Sequence, residues 1–194
     1  IITTFSDIVF DHKGNMFISD RLNHQIRKVD SKGNISTIAG TGESAHYGDG
    51  GPASEAAFRD PSALTTDKEG NLYIGDSANN MVRKIDTKGI ISTIAGNGKH
   101  EATGDGGPAL KAGIRNIDQL AVSPNGEVHI VGMNSNSVRK ITKDGKIVTV
   151  AGTGYQGYFG DGGPATKAML KSPVAIAFDS KGNLYITDMG NNRI

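Results

Sequence analysis

"YFGDGGPATKA" occupies residues 158–168, "ATGDGGPALKA" residues 102–112 and "HYGDGGPASEA" residues 46–56. The starts at 46, 102 and 158 are 56 residues apart. The chain is therefore a repeat, and self-similarity decides the architecture before any local propensity does. Reading outward, "DHKGNMFISD" (11–20), "DKEGNLYIGD" (67–76), "SPNGEVHIVG" (123–132) and "DSKGNLYITD" (179–188) are one segment four times. They run into "RLNHQIRKVD", "SANNMVRKID", "MNSNSVRKIT" and "MGNNRI". "ISTIAG" at 35 and 91 and "IVTVAG" at 147 close each unit. The whole chain, 1–194, reads as one repeat domain with units at about 6–61, 62–117, 118–173 and 174–194.

The second unit shows four apolar runs: "ALTTD" (63–67), "LYIG" (72–75), "MVRKID" (81–86) and "ISTIAG" (91–96). Each has strand length and a β-branched composition. The third run alternates, with Val82 and Lys84 facing one way and Arg83 and Ile85 the other. The separators "DKEGN" and "DTKGI" put Asp first and Gly fourth, the chemistry of a tight type I turn with a bulge. "DSANN" holds a middle loop in which Asp76 and Asn79 are expected to accept backbone hydrogen bonds. Asp20 and Asp188 take the same structural role at their phase.

Tight turns make antiparallel neighbours, so each unit is a four-stranded meander. One such sheet leaves a face unburied, and radial stacking solves that. The fold expected is all-β: a β-propeller with three full blades and a partial fourth. The "GDGGPA" connector reads as a reversal followed by a short helical turn, with Pro52 at the first helical position. Phe58, Ile114 and Leu170 share one phase and should pin that turn to the core. The bare carboxylates Asp49, Asp105 and Asp161 are expected to cap the turn by accepting backbone N–H groups. Calcium is the alternative ligand, but each copy offers one carboxylate where such a loop needs several oxygens. No cofactor is expected.

Bulk properties narrow the function. The chain has 194 residues, 21 Lys and Arg against 20 Asp and Glu, and a net charge of +1. No basic field points to nucleic acid. The absence of cysteine excludes disulfides and thiolate sites. No apolar run is long enough to span a membrane as a helix. Both ends read as cuts in something longer. "IITTF" (1–5) looks like an outer strand without the connector that should follow it.

"PVAIAFDSKGNLYITDMGNNRI" (173–194) resembles the NHL-repeat signature, and the "GDGGPA" connector resembles its long-repeat, teneurin-like variety. The resemblance implies a propeller that usually has about six blades, in proteins that bind partners, bind RNA, sense ligands or, in one case, act as a lyase. The third unit departs from the pattern at Gly132, Ser135 and His129, so its loop should be looser.

His12, His24, His46, His100 and His129 fall at five different phases, so no ring of metal ligands forms. No nucleophile elbow or P-loop is present. Each "RK" pair, at 27, 83 and 139, should split, one member facing solvent and the other snorkelling or pairing with an Asp on the next blade. The remaining candidates are the loops after the second strands. There His24, Asn80, Asn136 and Asn192 are expected to touch a partner, while Asn23, Asn79 and Asn191 satisfy their own turns. The function expected is a non-catalytic interaction module binding a protein partner or ligand. Further blades of the same chain or a second copy are the other partners expected. A metal-dependent lyase or hydrolase and an RNA binder are the alternatives. The sequon Asn34-Ile35-Ser36 favours an extracellular or cell-surface setting.

Overall fold

A computed structural model describes residues 5–194. The outer-strand reading of residues 1–4 lies outside the described residues. Phe5 opens the first strand, β1 (Phe5–Phe10), instead of closing an earlier sheet. β2 (Met16–Asp20), β3 (Gln25–Val29) and β4 (Ile35–Ala39) complete an antiparallel meander. The second sheet holds β5 (Pro61–Thr66), β6 (Leu72–Asp76), β7 (Met81–Ile85) and β8 (Ile91–Ala95). The third holds β9 (Gln119–Val122), β10 (Val128–Val131), β11 (Val138–Ile141) and β12 (Ile147–Ala151). β13 (Pro173–Phe178) and β14 (Leu184–Asp188) make a two-stranded sheet. No helix is long and apolar enough to cross a membrane among the described residues.

The chain divides into two compact units, one ending at Ile94 and one beginning at Ala95. In the first unit, β1 lies against β5. Asp7 Oδ2 accepts from Leu64 N–H at 2.9 Å, and the Ser19 hydroxyl donates to Ser62 O at 3.1 Å. The core joins Phe17, Ile26, Ala56, Phe58, Leu64, Ile74 and Ile91. In the second unit β9 lies against β13, where Gln119 Oε1 accepts from Ile176 N–H at 2.6 Å. Val131, Val138, Ala151 and Ile176 are buried there, with Leu170 packed on them.

The turns follow the Asp-first chemistry. Asp67 Oδ1 accepts from Asn71 N–H at 2.8 Å, and its Oδ2 takes the Asn71 amide at 2.7 Å and the Tyr73 hydroxyl at 2.9 Å. Asp179 holds Lys181 N–H and Asn183 N–H in the same way. The Asn183 amide and backbone pull the Asp179 carboxyl below its usual range. At Asp67 burial pushes upward, and the Asn71 and Tyr73 hydrogen bonds outweigh it. Asp11, Asp30 and Asp86 are lowered too. A carboxyl whose folded pKa lies below its unfolded value stabilises the fold above the unfolded value, and that gain is lost as pH falls through the folded one. The melting midpoint should therefore stay level from about pH 7 to 5 and fall steeply below about pH 4. Calorimetry across that range checks this; a midpoint unchanged to about pH 2 contradicts it.

The connectors carry the short turns expected, as 3-10 turns at Ala53–Glu55, Ala109–Lys111 and Ala165–Lys167. Pro52, Pro108 and Pro164 sit one place earlier than expected, at the N-cap. Phe58 and Ile114 are buried, and Leu170 is half-buried. The first two connectors are laced to the outer strand of the sheet each leads into. Gly50 N–H donates to Ile91 O at 2.8 Å, Ile91 N–H to Gly51 O at 3.0 Å and Ala53 N–H to Gly89 O at 2.8 Å. Gly106, Ile147 and Ala109 repeat this pattern on β12. Ile91 and Ile147 are fully buried beneath these segments, whereas Ile35, at the same phase of β4, is 50% exposed.

Candidate functional site

The glycines of "GDGG" permit a close approach. Gly48 has φ +97°, and a Cβ there would lie 2.6 Å from the Ala56 Cα. That packs the connector on itself and aims the following Asp inward. The 3-10 turns take no side-chain cap, so the capping role expected of Asp49, Asp105 and Asp161 is corrected. Asp49 Oδ1 instead meets Arg83 Nη2 at 2.8 Å. Asp105 Oδ1 meets Arg139 Nε at 3.4 Å and accepts from the Thr149 hydroxyl at 3.0 Å. Asp161 accepts from the Tyr158 hydroxyl at 3.1 Å and lies 3.8 Å from Arg193, whose guanidinium stacks on the Tyr158 ring.

Arg83 is fully buried. Its Nη1 reaches Ala57 O and Asp76 Oδ2, and its Nη2 reaches Tyr47 O and Asp49. Arg139, 6% exposed, binds Gly113 O at 2.9 Å and Thr103 O at 2.8 Å. Burial lowers the Arg139 pKa against the opposing pull of Asp105. A guanidinium fits this task because its planar fork supplies several donors in fixed directions. Arg83 and Arg139 thus each clasp the connector leading into their own sheet, not an Asp of the next blade, and Arg27 lies 3.6 Å from Asp20 of its own sheet. The lysine partner lies on the other face: Lys84 is over the Tyr73 ring and Lys140 meets Glu127 at 2.8 Å.

The loop carboxylates do lock their turns. Asp76 accepts from Arg59 N–H at 2.7 Å and the Asn79 amide at 2.9 Å. Asp188 accepts from Lys171 N–H at 2.7 Å and the Asn191 amide at 2.7 Å. Asp20 takes the Asn23 amide at 2.9 Å and lies 3.6 Å from Arg27. Burial raises the Asp76 pKa despite these bonds and the Arg83 charge.

His24, Asn80, Asn136 and Asn192 all close their loops in the left-handed conformation, at φ of 54°, 53°, 48° and 55°. His24 Nδ1 accepts from Asp60 N–H at 3.3 Å, and Asn136 Oδ1 accepts from Ser172 N–H at 3.1 Å. These side chains stitch a loop to the residue before the next first strand. Asn136 is buried, so its expected outward role has to be revised. The third loop is not left open either. Ser135 donates to Gly132 O at 2.7 Å, and Met133 N–H finds Asp118 at 2.6 Å. The outward positions are two or three residues earlier. Leu22 is 58%, Met133 37% and Met189 45% exposed. Their signal in the sequence was variation: "RL", "SA", "MN" and "MG" stand ahead of a repeated polar frame.

His129 is buried edge-on against Phe178, with ring centroids 4.7 Å apart, and burial lowers its pKa. Among the described residues no three His, Asp or Glu side chains gather as a metal-ligand group.

A family model described as Teneurin NHL domain matches residues 41–103. Teneurin-m of Drosophila melanogaster is 30% identical over 207 residues, covering 93% of this chain and 7% of that protein. Teneurin-4 of Homo sapiens is 26% identical over 273 residues, covering 93% and 10%. The chain thus spans a tenth or less of these relatives' length. Among solved structures, virginiamycin B lyase from Staphylococcus aureus aligns over 97% of this chain and 50% of its own, at 21% identity and a TM-score of 0.58. A protein of unknown function from Bacteroides thetaiotaomicron aligns over 94% and 44%, at 20% identity and a TM-score of 0.71. These two likenesses speak to fold alone.

Proposed function

We propose, from the premise that this chain belongs to the teneurin-like NHL-repeat family, that it is a non-catalytic protein-interaction module whose contacts lie on the loop tips after the second strands. The supporting observation is the pairing of a locked backbone with exposed, copy-specific apolar side chains. Leu22, Met133 and Met189 project from turns held by Asp20, Asp118 and Asp188. Rigid frames with variable tips suit recognition, because little entropy is lost on docking. Methionine adds a surface that adapts to its partner. His24 and Asn192 flank the tips and supply hydrogen bonds. We place the module outside the cell or at its surface, where the exposed Asn34-Ile35-Ser36 sequon would be read. Further blades, from the same chain or a second copy, complete the ring in this reading.

A photo-crosslinking residue at Met133 tests the tips. It should capture a protein partner on intact cells. Replacing Met189 by serine in that chain should cut capture at least tenfold while the melting midpoint stays put. Undiminished capture by the serine variant removes the tips from the interface.

A further inference from the structure

The third repeat departs from the second at two neighbouring loop positions, where Ser135 and Ser137 stand in place of Asn79 and Met81. Both serines are buried, at 8% and 5% exposure, and both line a recess of about 480 Å³. Arg139 forms its floor together with the serines. Asp105, Thr149, Thr153 and Thr166 stand around it, and Gly152 and Gly154 bring bare backbone to one side. In the second repeat the Asn79 amide donates across its loop to Ala45 O at 3.0 Å, and Met81 supplies a long side chain. Two small hydroxyls occupy less space than that amide and thioether, which leaves the third repeat open at this place.

We infer that this recess binds a small neutral polyhydroxy ligand of monosaccharide size. The volume lies within the range of small-molecule sites. The charges exclude the alternatives. Arg139 turns away a cation, and the half-exposed Asp105, paired to it at 3.4 Å, turns away an anion. What remains is a lining of hydroxyls that both donate and accept, with one carboxylate acceptor and one guanidinium donor. That set matches adjacent ligand hydroxyls. Among the described residues the Ser137 hydroxyl has no hydrogen-bond partner although the residue is 95% buried, and Ser137 lines this space. Ser135, in contrast, is spent on Gly132 O and Ser137 O, which fixes the floor. Ser137, Arg139 and Asp105 are the groups assigned to the ligand.

Saturation-transfer NMR on the intact chain is the test, with glucose, galactose and mannose as probes and glucuronate and glucosamine as charged counterparts. At least one neutral sugar should give a signal with millimolar affinity and shift the backbone amides of 135–139 and 149–154. The charged counterparts should bind more weakly. Ser137→Met, which restores the second repeat's residue, should weaken binding at least tenfold. The amide map stands on its own if that variant folds poorly. Silence from all three neutral sugars, shifts mapping elsewhere, preference for a charged counterpart, or equal binding by a well-folded Ser137→Met chain would each overturn the assignment.

Discussion

Arg83→Ala should lower stability by about 3–5 kcal/mol, the range for removing one partner of a buried charge network. In a chain of this size that is a fall in melting midpoint of roughly 10 °C. The cost is not the lost attraction to Asp49, which is 44% exposed and screened by water. It comes from Asp76, whose side chain is wholly buried and loses its counter-ion, and from Ala57 O, left without its donor, whereas Tyr47 O keeps the Ala57 N–H. Asp49→Ala should accordingly cost no more than about 1 kcal/mol. A second signature follows from the Asp76 pKa, which burial already raises. With Arg83 gone it rises further. A raised carboxyl favours the fold at low pH and opposes it as pH climbs through the folded value. The deficit of the variant should therefore shrink between about pH 7 and pH 5. Urea unfolding at both pH values measures it, and equal losses for Arg83→Ala and Asp49→Ala would show that the clasp does not act this way.

Gly132→Asp is the second large effect, and its sign runs against the repeat. Three of the four units carry Asp at this phase: Asp20, Asp76 and Asp188. Averaging the copies would recommend restoring it in the third. The structure predicts a loss of about 3 kcal/mol, from overpacking and an unmatched buried charge. A Cβ at Gly132 would lie 2.8 Å from the Asn116 carbonyl carbon and 2.9 Å from its Cβ. Backbone is there, so nothing yields cheaply. The partner that Asp76 finds in Asn79 is Ser135 here, already bonded to Gly132 O. Asp118 has taken over the loop by accepting Met133 N–H. Gly132→Ala separates the two terms, since it carries the clash without the charge. A stabilised Gly132→Asp chain would refute this account of the third repeat.

The strands were legible because they depend on near neighbours. "LYIG" and "ISTIAG" have β-branched composition and turn residues at both ends, and they fall within β6 and β8 with at most a one-residue difference. The same holds for the Asp-first turns, whose donors lie two and four residues away. Partners distant in sequence were not legible. Asp49 meets Arg83 34 residues later, and period-two alternation says only which face Arg83 occupies. It does not say that the face is closed over by a connector, so a buried guanidinium reads as a surface one. The loop asparagines failed for a different reason. A polar residue at φ near +50° and a polar residue reaching for a partner are spelled alike, and only the hydrogen bonds of His24 and Asn136 to the next connector separate them.

The lacing of residues 50–53 onto β8, and of 106–109 onto β12, sets an order in time. Each cover lies about 40 residues upstream of the edge it shields. On a ribosome, which adds roughly 5–20 residues per second from the N terminus, the lid has left the exit tunnel seconds before its strand appears. A nascent edge of this kind meets its own cover before it meets another chain's, so the danger of cross-pairing during translation falls at β8 and β12.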